Sequence, residues 1–178
     1  AGSLSDRQEH FLLTVRRNAD RMGLLIGDLG DLNRIRDQRM PLKVAAFDMG
    51  KLIDEVIQEQ ALAIAGRSHE LKLLLPADLP LAYGDGGEIK RAFSRILANA
   101  IQYTAEGGTV TISAAREGDM LQVTVADTGT GISPEDQAEL FKPFFRSEAE
   151  AVREHAGWGL SLALAKALLE VQDGGLWC

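Results

Sequence analysis

Residues 109–132 read TVTISAAREGDMLQVTVADTGTGI, and this stretch indicates the fold class. Apolar and polar residues alternate on both sides of the Glu-Gly-Asp at 117–119, which predicts a β-hairpin with its turn at that point. The second strand ends at Asp127, and Gly129 and Gly131 follow it. We therefore expect a β-sheet that carries a glycine-rich turn at one end, beside a carboxylate.

Helices and short strands alternate upstream of this hairpin. Helical spacing of apolar residues extends from about Glu88 to Tyr103 and over KLIDEVIQEQALAIA, which Asp48 precedes as a cap. The alternating segments LKVAAF and ELKLLL predict strands, whereas the prolines and glycines of PADLPLAYGDGG predict a loop.

Downstream of the hairpin, the glycines and prolines of residues 127–159 predict a long loop, and Leu160–Val171 is predicted to be the last helix. At the other end of the chain, residues 4–39 place apolar residues three and four apart, which is typical of a long helix. Pro41 should end it. The element order predicts an α/β sandwich, in which helices pack on one face of a mixed β-sheet, preceded by one long helix.

The long helix indicates that the chain has two parts and that the helix packs on a partner. We assign residues 1–40 to the helix and residues 41–178 to the sandwich. Because a single helix cannot bury its own apolar stripe, we expect it to pack on a partner helix, in this chain or in another copy, and we favour a homodimer through this helix.

Composition and charge exclude several classes of protein. The 178 residues are 46% hydrophobic and 25% charged, which is ordinary for a globular chain, and the single cysteine excludes a disulfide framework. The net charge of −7 argues against nucleic acid as a partner. No apolar run approaches the roughly 18–20 residues that span a bilayer, and no secretory signal is evident. We expect a cytoplasmic chain, although a longer parent protein could be anchored to a membrane.

Two segments carry polar groups suited to a nucleotide. Asn99 interrupts the apolar spacing of RILANAIQYT, and an amide oxygen suits Mg²⁺, which keeps waters and phosphates as its other ligands. A solvated or capping asparagine is the alternative. In VADTGTGI the glycines let the backbone approach a ligand, and Asp127 can accept a hydrogen bond from an exocyclic amine such as that of adenine. A simple glycine turn after a strand is the alternative.

Two further segments follow along the chain. LFKPFFRS places three phenylalanines beside Arg146, and these rings could equally be a small satellite core under a loop. In AGWGLSLALAKALLE, Gly157 and Gly159 precede a helix whose first amides can hold an anion, although many helices begin after glycine. The order of all four segments is far more specific than any one of them.

This order resembles the ATP-binding domain of sensor histidine kinases, within the superfamily that includes gyrase and the Hsp90-type chaperones. RILANAIQYT resembles the family's N box, DTGTGI its G1 box, LFKPFFR its F box and GWGLSL its G2 box. The resemblance implies the Bergerat-type ATP-binding fold for residues 41–178. Residues 4–39 resemble the second helix of the family's dimerisation and phosphotransfer hairpin.

The resemblance also implies ligands and roles. ATP and Mg²⁺ are the implied cofactors, with Asn99 on the metal and Asp127 on the adenine amino group. Residues 133–156 would form a lid, and Arg146 would reach the terminal phosphates, so that Asn99 and Arg146 act in catalysis. The implied ATP site comprises Asn99, Tyr103, Asp127, Gly129, Gly131, Arg146, Gly157, Gly159 and Leu160. The implied reaction transfers the γ-phosphoryl group of ATP to a histidine, for relay to an aspartate of a response regulator.

None of the three histidines is expected to be the phosphate acceptor. His69 is followed by Glu70, as an acceptor would be, but the segment continues as a strand and lies too close to Asn99 for a helical hairpin. We expect His69 to be a surface-loop or strand-edge residue. His10 is followed by phenylalanine rather than by an acidic residue, and His155 falls in the lid.

Four positions depart from the family's pattern, and they keep a second hypothesis open. They are Arg95, Gln102, Trp158 and Ser161, where the family commonly has asparagine or glutamate, lysine, threonine and glycine. Our main hypothesis is a histidine-kinase catalytic domain that cannot phosphorylate itself. The alternative is a degenerate, non-catalytic module that dimerises and regulates a partner. A gyrase- or chaperone-type ATPase is disfavoured, because Arg95 stands where a glutamate would activate water.

Overall fold

The computed structural model describes residues 4–153 and 157–178, and the chain divides into two compact units, Ala1–Met40 and Pro41–Cys178. The first unit contains one helix, α1 (Asp6–Arg36). Ser5 caps it, since the Ser5 side chain accepts from the backbone N–H of Gln8 and the Gln8 side chain accepts from the backbone N–H of Ser5. The predicted long helix is therefore confirmed.

The second unit alternates strands and helices. In chain order its elements are β1 (Ala45–Phe47), α2 (Met49–Gly66), β2 (Glu70–Leu74), β3 (Ala82–Gly84), α3 (Gly86–Tyr103), β4 (Thr109–Glu117), β5 (Met120–Asp127), α4 (Pro134–Glu139), α5 (Glu150–Arg153) and α6 (Ser161–Glu170). None of the helices in the described ranges combines the length and the apolar character needed to cross a membrane.

The strands form two sheets. In the larger sheet the order is β2-β4-β5, with β2 parallel to β4 and β5 antiparallel to β4, so this sheet is mixed. The predicted hairpin is β4 and β5, with Gly118 at positive φ in the turn. The smaller sheet pairs β1 with β3 in antiparallel fashion.

A hydrophobic core lies between the larger sheet and the helices. Alternate residues of β4 are buried, and these side chains belong to the same cluster as those of α2 and α3. Helix α3 packs on α2 and on α6. The largest fully buried apolar side chains are Ile53, Val56, Leu97, Val110, Ile112, Leu164 and Leu168. The predicted α/β sandwich with a mixed sheet is confirmed.

Two loop predictions were wrong. The segment PADLPLAYGDGG contains β3, whose partner β1 is distant along the chain, so local proline and glycine signals hid the pairing. The stretch 127–159 contains the short helices α4 and α5. Ser133 caps α4 through a hydrogen bond from Asp136 N–H (3.1 Å), which is a local signal that the sequence does carry.

Asp85 fixes the start of α3 and joins three segments. Its Oδ1 accepts from the N–H groups of Gly87 (3.0 Å) and Glu88 (3.2 Å), and its Oδ2 accepts from the N–H of Lys43 (2.7 Å). The backbone N–H of Asp85 in turn donates to the Gln172 side chain, which follows α6 (2.6 Å). The bond from Lys43, with help from the two helix amides, holds the pKa of Asp85 below its ordinary value.

Replacing this carboxylate should lower stability in a pH-dependent way. We expect Asp85→Ala to reduce the free energy of unfolding by about 2 kcal/mol at pH 7, through the lost cap and the lost bond to Lys43. Because the folded-state pKa is depressed, this contribution is present above the unfolded pKa and is lost as pH falls through the folded pKa. Urea denaturation at pH 7 and near pH 3 measures the difference.

Asp48→Ala is the matched control, since Asp48 also caps a helix but its carboxylate accepts only one hydrogen bond among the described residues, from Lys51 N–H (3.1 Å). Asp48→Ala should reduce the free energy of unfolding by less than Asp85→Ala does. If the difference in free energy of unfolding between Asp85→Ala and the unsubstituted chain stayed constant down to pH 3, the lowered pKa assigned to Asp85 would be contradicted.

Candidate functional site

Helix α3 carries two of the expected site residues. Leu97 and Ile101 lie on its buried face, whereas Asn99 and Tyr103 are half-buried and one turn apart. No hydrogen bond ties the Asn99 amide to another side chain or backbone group of the described ranges. An amide half-buried on a packed helix, without an internal partner there, is available to an external ligand.

The turn after β5 lies against the end of this helix. Asp127 is exposed, and its Oδ1 accepts from the N–H of Gly129 (2.8 Å). A Cβ atom on Gly129 would lie 2.5 Å from the carbonyl oxygen of Tyr103 and 2.6 Å from Asp127 Oδ1. Only glycine therefore fits, and the structure brings Asp127, Gly129 and Tyr103 together. Gly131, at φ +70°, continues the turn in a conformation that favours glycine.

A second cluster forms where the phenylalanine-rich segment meets the start of α6. The N–H of Phe144 donates to the carbonyl of Gly159 (2.9 Å), and Gly159 has φ +68°. A Cβ on Gly159 would meet the carbonyl oxygen of Phe145 and would lie 2.8 Å from the carbonyl carbon of Phe144. Gly159 is thus required both by its backbone conformation and by its packing.

Arg146 lies in this second cluster and binds backbone carbonyls. Its Nη1 donates to the Gly157 carbonyl (2.9 Å) and its Nη2 donates to the Val152 carbonyl (2.6 Å). In this arrangement the guanidinium braces the segment before α6. Its expected contact with the terminal phosphates stays a prediction.

The helices beside the two clusters, α3 and α6, pack on each other. Leu160 is buried at the N-cap of α6 and supplies no side-chain hydrogen bond to the first amides of the helix. Those amides lack an intrahelical partner, and their dipoles favour an anion. The donor set suits a nucleotide: a carboxylate for the base, open amides for phosphates, and an amide side chain for a metal.

The departures from the family pattern are distributed along the same elements. Arg95 is half-buried one turn before Asn99, and the Gln102 carbonyl accepts a hydrogen bond from Arg67. Trp158 is exposed, and Ser161 is the first residue of α6.

The expectation of a surface loop for His69 was wrong, whereas the strand-edge alternative fits its place directly before β2, which lies at the edge of the larger sheet. His69 is buried, and its Nε2 lies 3.3 Å from the carbonyl oxygen of Thr104 and 3.1 Å from that of Ala105. No local pattern could indicate this contact, because the partners of His69 are 35 and 36 positions away. His10 lies in α1, and His155 lies outside the described residues.

Substitution of Gly159 tests the second cluster. We expect Gly159→Ala to reduce the free energy of unfolding by about 2 kcal/mol or more, because alanine is strained at this φ and its Cβ would overlap the Phe144–Phe145 backbone. Gly157→Ala is the matched control, since nothing lies within 4 Å of a Cβ at Gly157. Urea denaturation of both variants measures the effect. Equal stabilities would rule out the packing described for Gly159.

Comparison with known proteins identifies the family. The sequence profile described as "Histidine kinase-, DNA gyrase B-, and HSP90-like ATPase" matches residues 84–178, more than half of the chain. The adaptive-response sensory kinase SasA of Thermosynechococcus vestitus is 33% identical over 164 residues, which are 92% of this chain and 43% of that protein. The chain belongs to this ATPase family. It spans less than half the length of the curated relatives it matches.

Solved structures share the fold. Full-length ShkA, crystallised in complex with AMPPNP, superposes with a TM-score of 0.81 at 23% identity and covers 96% of this chain and 35% of that one. The histidine kinase AdeS of Acinetobacter baumannii gives a TM-score of 0.76 at 22% identity, over 98% of this chain and 82% of that one. The resemblance to the ATP-binding catalytic domain of sensor histidine kinases is confirmed. The relatives' names do not favour the non-catalytic alternative.

Proposed function

We propose that this chain binds Mg²⁺ and ATP and that, within a longer sensor histidine kinase, it transfers the γ-phosphoryl group of ATP to a histidine. The observation that carries the proposal is the contact of Gly129 with the carbonyl of Tyr103. This contact joins the turn that bears Asp127 to the helix that bears Asn99. This contact supports a single nucleotide site, in which Asp127 would accept the base and Asn99 would hold the metal.

The base end of the site rests on Asp127. One carboxylate oxygen is engaged by Gly129 N–H, and no described donor is bound to the other oxygen. We assign that second oxygen to the exocyclic amino group of adenine. Guanine carries a carbonyl oxygen at the corresponding position, so the same carboxylate would repel it. Tyr103, Gly129 and Gly131 would line the adenine pocket.

The phosphate end rests on α3 and α6. Asn99 would contribute one oxygen to Mg²⁺, whose other ligands would be waters and phosphate oxygens. The metal would supply charge neutralisation for the transfer, in which the bond between the γ-phosphorus and the β–γ bridging oxygen would break, a bond to the histidine nitrogen would form and ADP would leave. Gly157, Gly159 and Leu160 would shape the phosphate cradle. Arg146 is proposed to reach the terminal phosphates after release from the carbonyls that it now binds.

The acceptor and the partners are part of the same proposal. We propose that none of the three histidines is phosphorylated in this chain, and the burial of His69 supports this. The whole protein would pass the group to an aspartate of a response regulator in the cytoplasm, where ATP is available. It would dimerise through α1, whose exposed Phe11, Met22 and Ile26 support a helix partner. A chain that sediments as a monomer at high concentration would contradict the dimer.

Calorimetric titration with AMPPNP, with and without Mg²⁺, tests the nucleotide proposal. We expect saturable binding, stronger with Mg²⁺, no comparable binding of the guanine analogue, and a rise in the unfolding temperature at millimolar nucleotide. The absence of both heat and thermal shift at that concentration would reject it. Radiolabelled ATP should leave no acid-labile phosphate on this chain.

A further inference from the structure

The carboxyl end of α3 is stabilised by side chains from another segment. The last carbonyls of a helix have no intrahelical donor, and α3 carries no basic residue in its last turn. The Thr104 N–H and hydroxyl both return to the Ala100 carbonyl (3.1 and 2.6 Å), which leaves the carbonyls of later residues to be satisfied elsewhere. The partners come from the segment that links α2 to β2.

Two side chains of this link act as donors. Arg67 Nη1 donates to the carbonyl of Gln102 (3.0 Å). His69 Nε2 faces the carbonyls of Thr104 and Ala105, and since both are acceptors, the ring proton is assigned to Nε2. We call Arg67 and His69 the carbonyl clasp.

Backbone bonds hold the clasp in register with the helix end. The N–H of Gly107 donates to the carbonyl of Arg67 (3.0 Å), and the N–H of Glu70 donates to the carbonyl of Gly108 (2.9 Å). His69 is only 8% exposed, and no group in the described ranges hydrogen-bonds to its Nδ1. Among these residues, therefore, Nδ1 has no hydrogen-bond partner, and Nε2 makes all the contacts of the imidazole with the end of the helix.

The helix end that the clasp holds is also a wall of the proposed nucleotide site. The clasp contacts the carbonyls of Gln102 and Thr104, on either side of Tyr103, as well as that of Ala105. The Tyr103 carbonyl is the surface against which Gly129 packs. The N–H of Gly129 in turn orients the Asp127 carboxylate. A shift of the helix end would therefore move the adenine acceptor, although neither clasp residue needs to touch the nucleotide.

We propose that Arg67 and His69 are positioning residues for the nucleotide site: through the carbonyls that end α3 they hold Gly129 and Asp127 in the geometry that receives the base. The inference rests on the proposed function for its ligand. It goes beyond that function, because it assigns the affinity of the site partly to the α2–β2 link, which contributes none of the proposed nucleotide contacts. Groups that bind a ligand must be held within about 0.5 Å of the productive geometry, so loss of the clasp should weaken binding.

The test compares three substitutions at one position. Gln reaches as far as imidazole and places an amide N–H where Nε2 lies, whereas Asn is too short and Leu has no donor. We expect the dissociation constant for AMPPNP with Mg²⁺ to rise about 10-fold in His69→Leu and His69→Asn and to stay within about 3-fold in His69→Gln. His10→Leu, in α1, is the matched control and should leave the affinity unchanged. Urea denaturation measures the folded fraction of each variant. If His69→Leu does not fold, the dissociation constants of His69→Asn and His69→Gln are compared instead.

A second readout separates this inference from the proposed function. The amide resonances of Tyr103 and Gly129 should shift in ¹H–¹⁵N spectra of His69→Leu without nucleotide and should return toward their original positions in His69→Gln. If the unsubstituted chain binds no nucleotide, the proposed function fails. These resonances alone then decide whether the clasp determines the conformation of the turn that carries Asp127 and Gly129. Unchanged Gly129 resonances, or nucleotide affinity within twofold of the original in folded His69→Leu and His69→Asn, would overturn the inference.

Discussion

Asp127→Asn is expected to raise the dissociation constant for AMPPNP by about 10- to 100-fold, the loss that corresponds to one hydrogen bond with a charged partner. The substitution keeps the size of the side chain but not its acceptor set. One oxygen of Asp127 accepts from Gly129 N–H, and the other is assigned to the adenine amino group. An amide has a single oxygen, so one of these two donors would face an N–H₂ group instead.

The same substitution should also reduce base selectivity. The preference for the adenine over the guanine analogue should shrink, because the guanine oxygen would meet a donor in place of a carboxylate. Calorimetric titration with both analogues measures the two effects. Asp119→Asn is the control, since Asp119 is a fully exposed carboxylate in the β4–β5 turn. If the affinity for AMPPNP and the preference for adenine were unchanged in Asp127→Asn, Asp127 would not be part of the nucleotide site.

Asn99→Ala is expected to abolish most of the dependence of nucleotide binding on Mg²⁺. In the unsubstituted chain the affinity for AMPPNP should fall when Mg²⁺ is chelated, because the metal links the Asn99 amide to the phosphates. Without the amide, the affinities with and without Mg²⁺ should converge to within about 3-fold of each other, an energy difference below about 0.7 kcal/mol. Binding of the base should persist, since Asp127 is untouched.

The control for Asn99→Ala removes an amide elsewhere in the same unit. Gln122 lies in β5 opposite Ala115, near the turn end of the hairpin and far along the strand from Asp127. Gln122→Ala should preserve the full Mg²⁺ effect. If Asn99→Ala retained it as well, the metal would have to be held by other groups, and the assignment of Asn99 would be wrong.

The fold could be predicted wherever local chemistry marks an element. Asp48 caps α2 as expected, and the glycine turn after residue 117 separates the two strands of the hairpin. The strand β3 could not be predicted, because its three residues form a strand only by pairing with β1, and that pairing depends on contacts distant in sequence. Propensity is a weak guide where tertiary contacts decide.

The candidate site could be predicted as a set of residue types but not as a set of contacts. Asn99, Asp127 and the glycines are recognisable in the sequence because polar and glycine residues interrupt apolar patterns. The packing of Gly129 on Tyr103 has no such signal, since it depends on how β5 meets the end of α3. His69 shows the opposite failure: its neighbours along the chain indicated a surface position, but its partners lie at the end of a helix that follows later.

Both ends of α3 are tied by groups from outside the helix. Gln172 and Lys43 bind Asp85 at its start; Arg67 binds a carbonyl of its last turn, and His69 contacts the two carbonyls that follow the helix. A wall held in this way is preorganised, because little of its conformational freedom remains to be lost when a ligand arrives. The unfavourable entropy of ordering that accompanies nucleotide binding should therefore fall on the parts of the site outside α3.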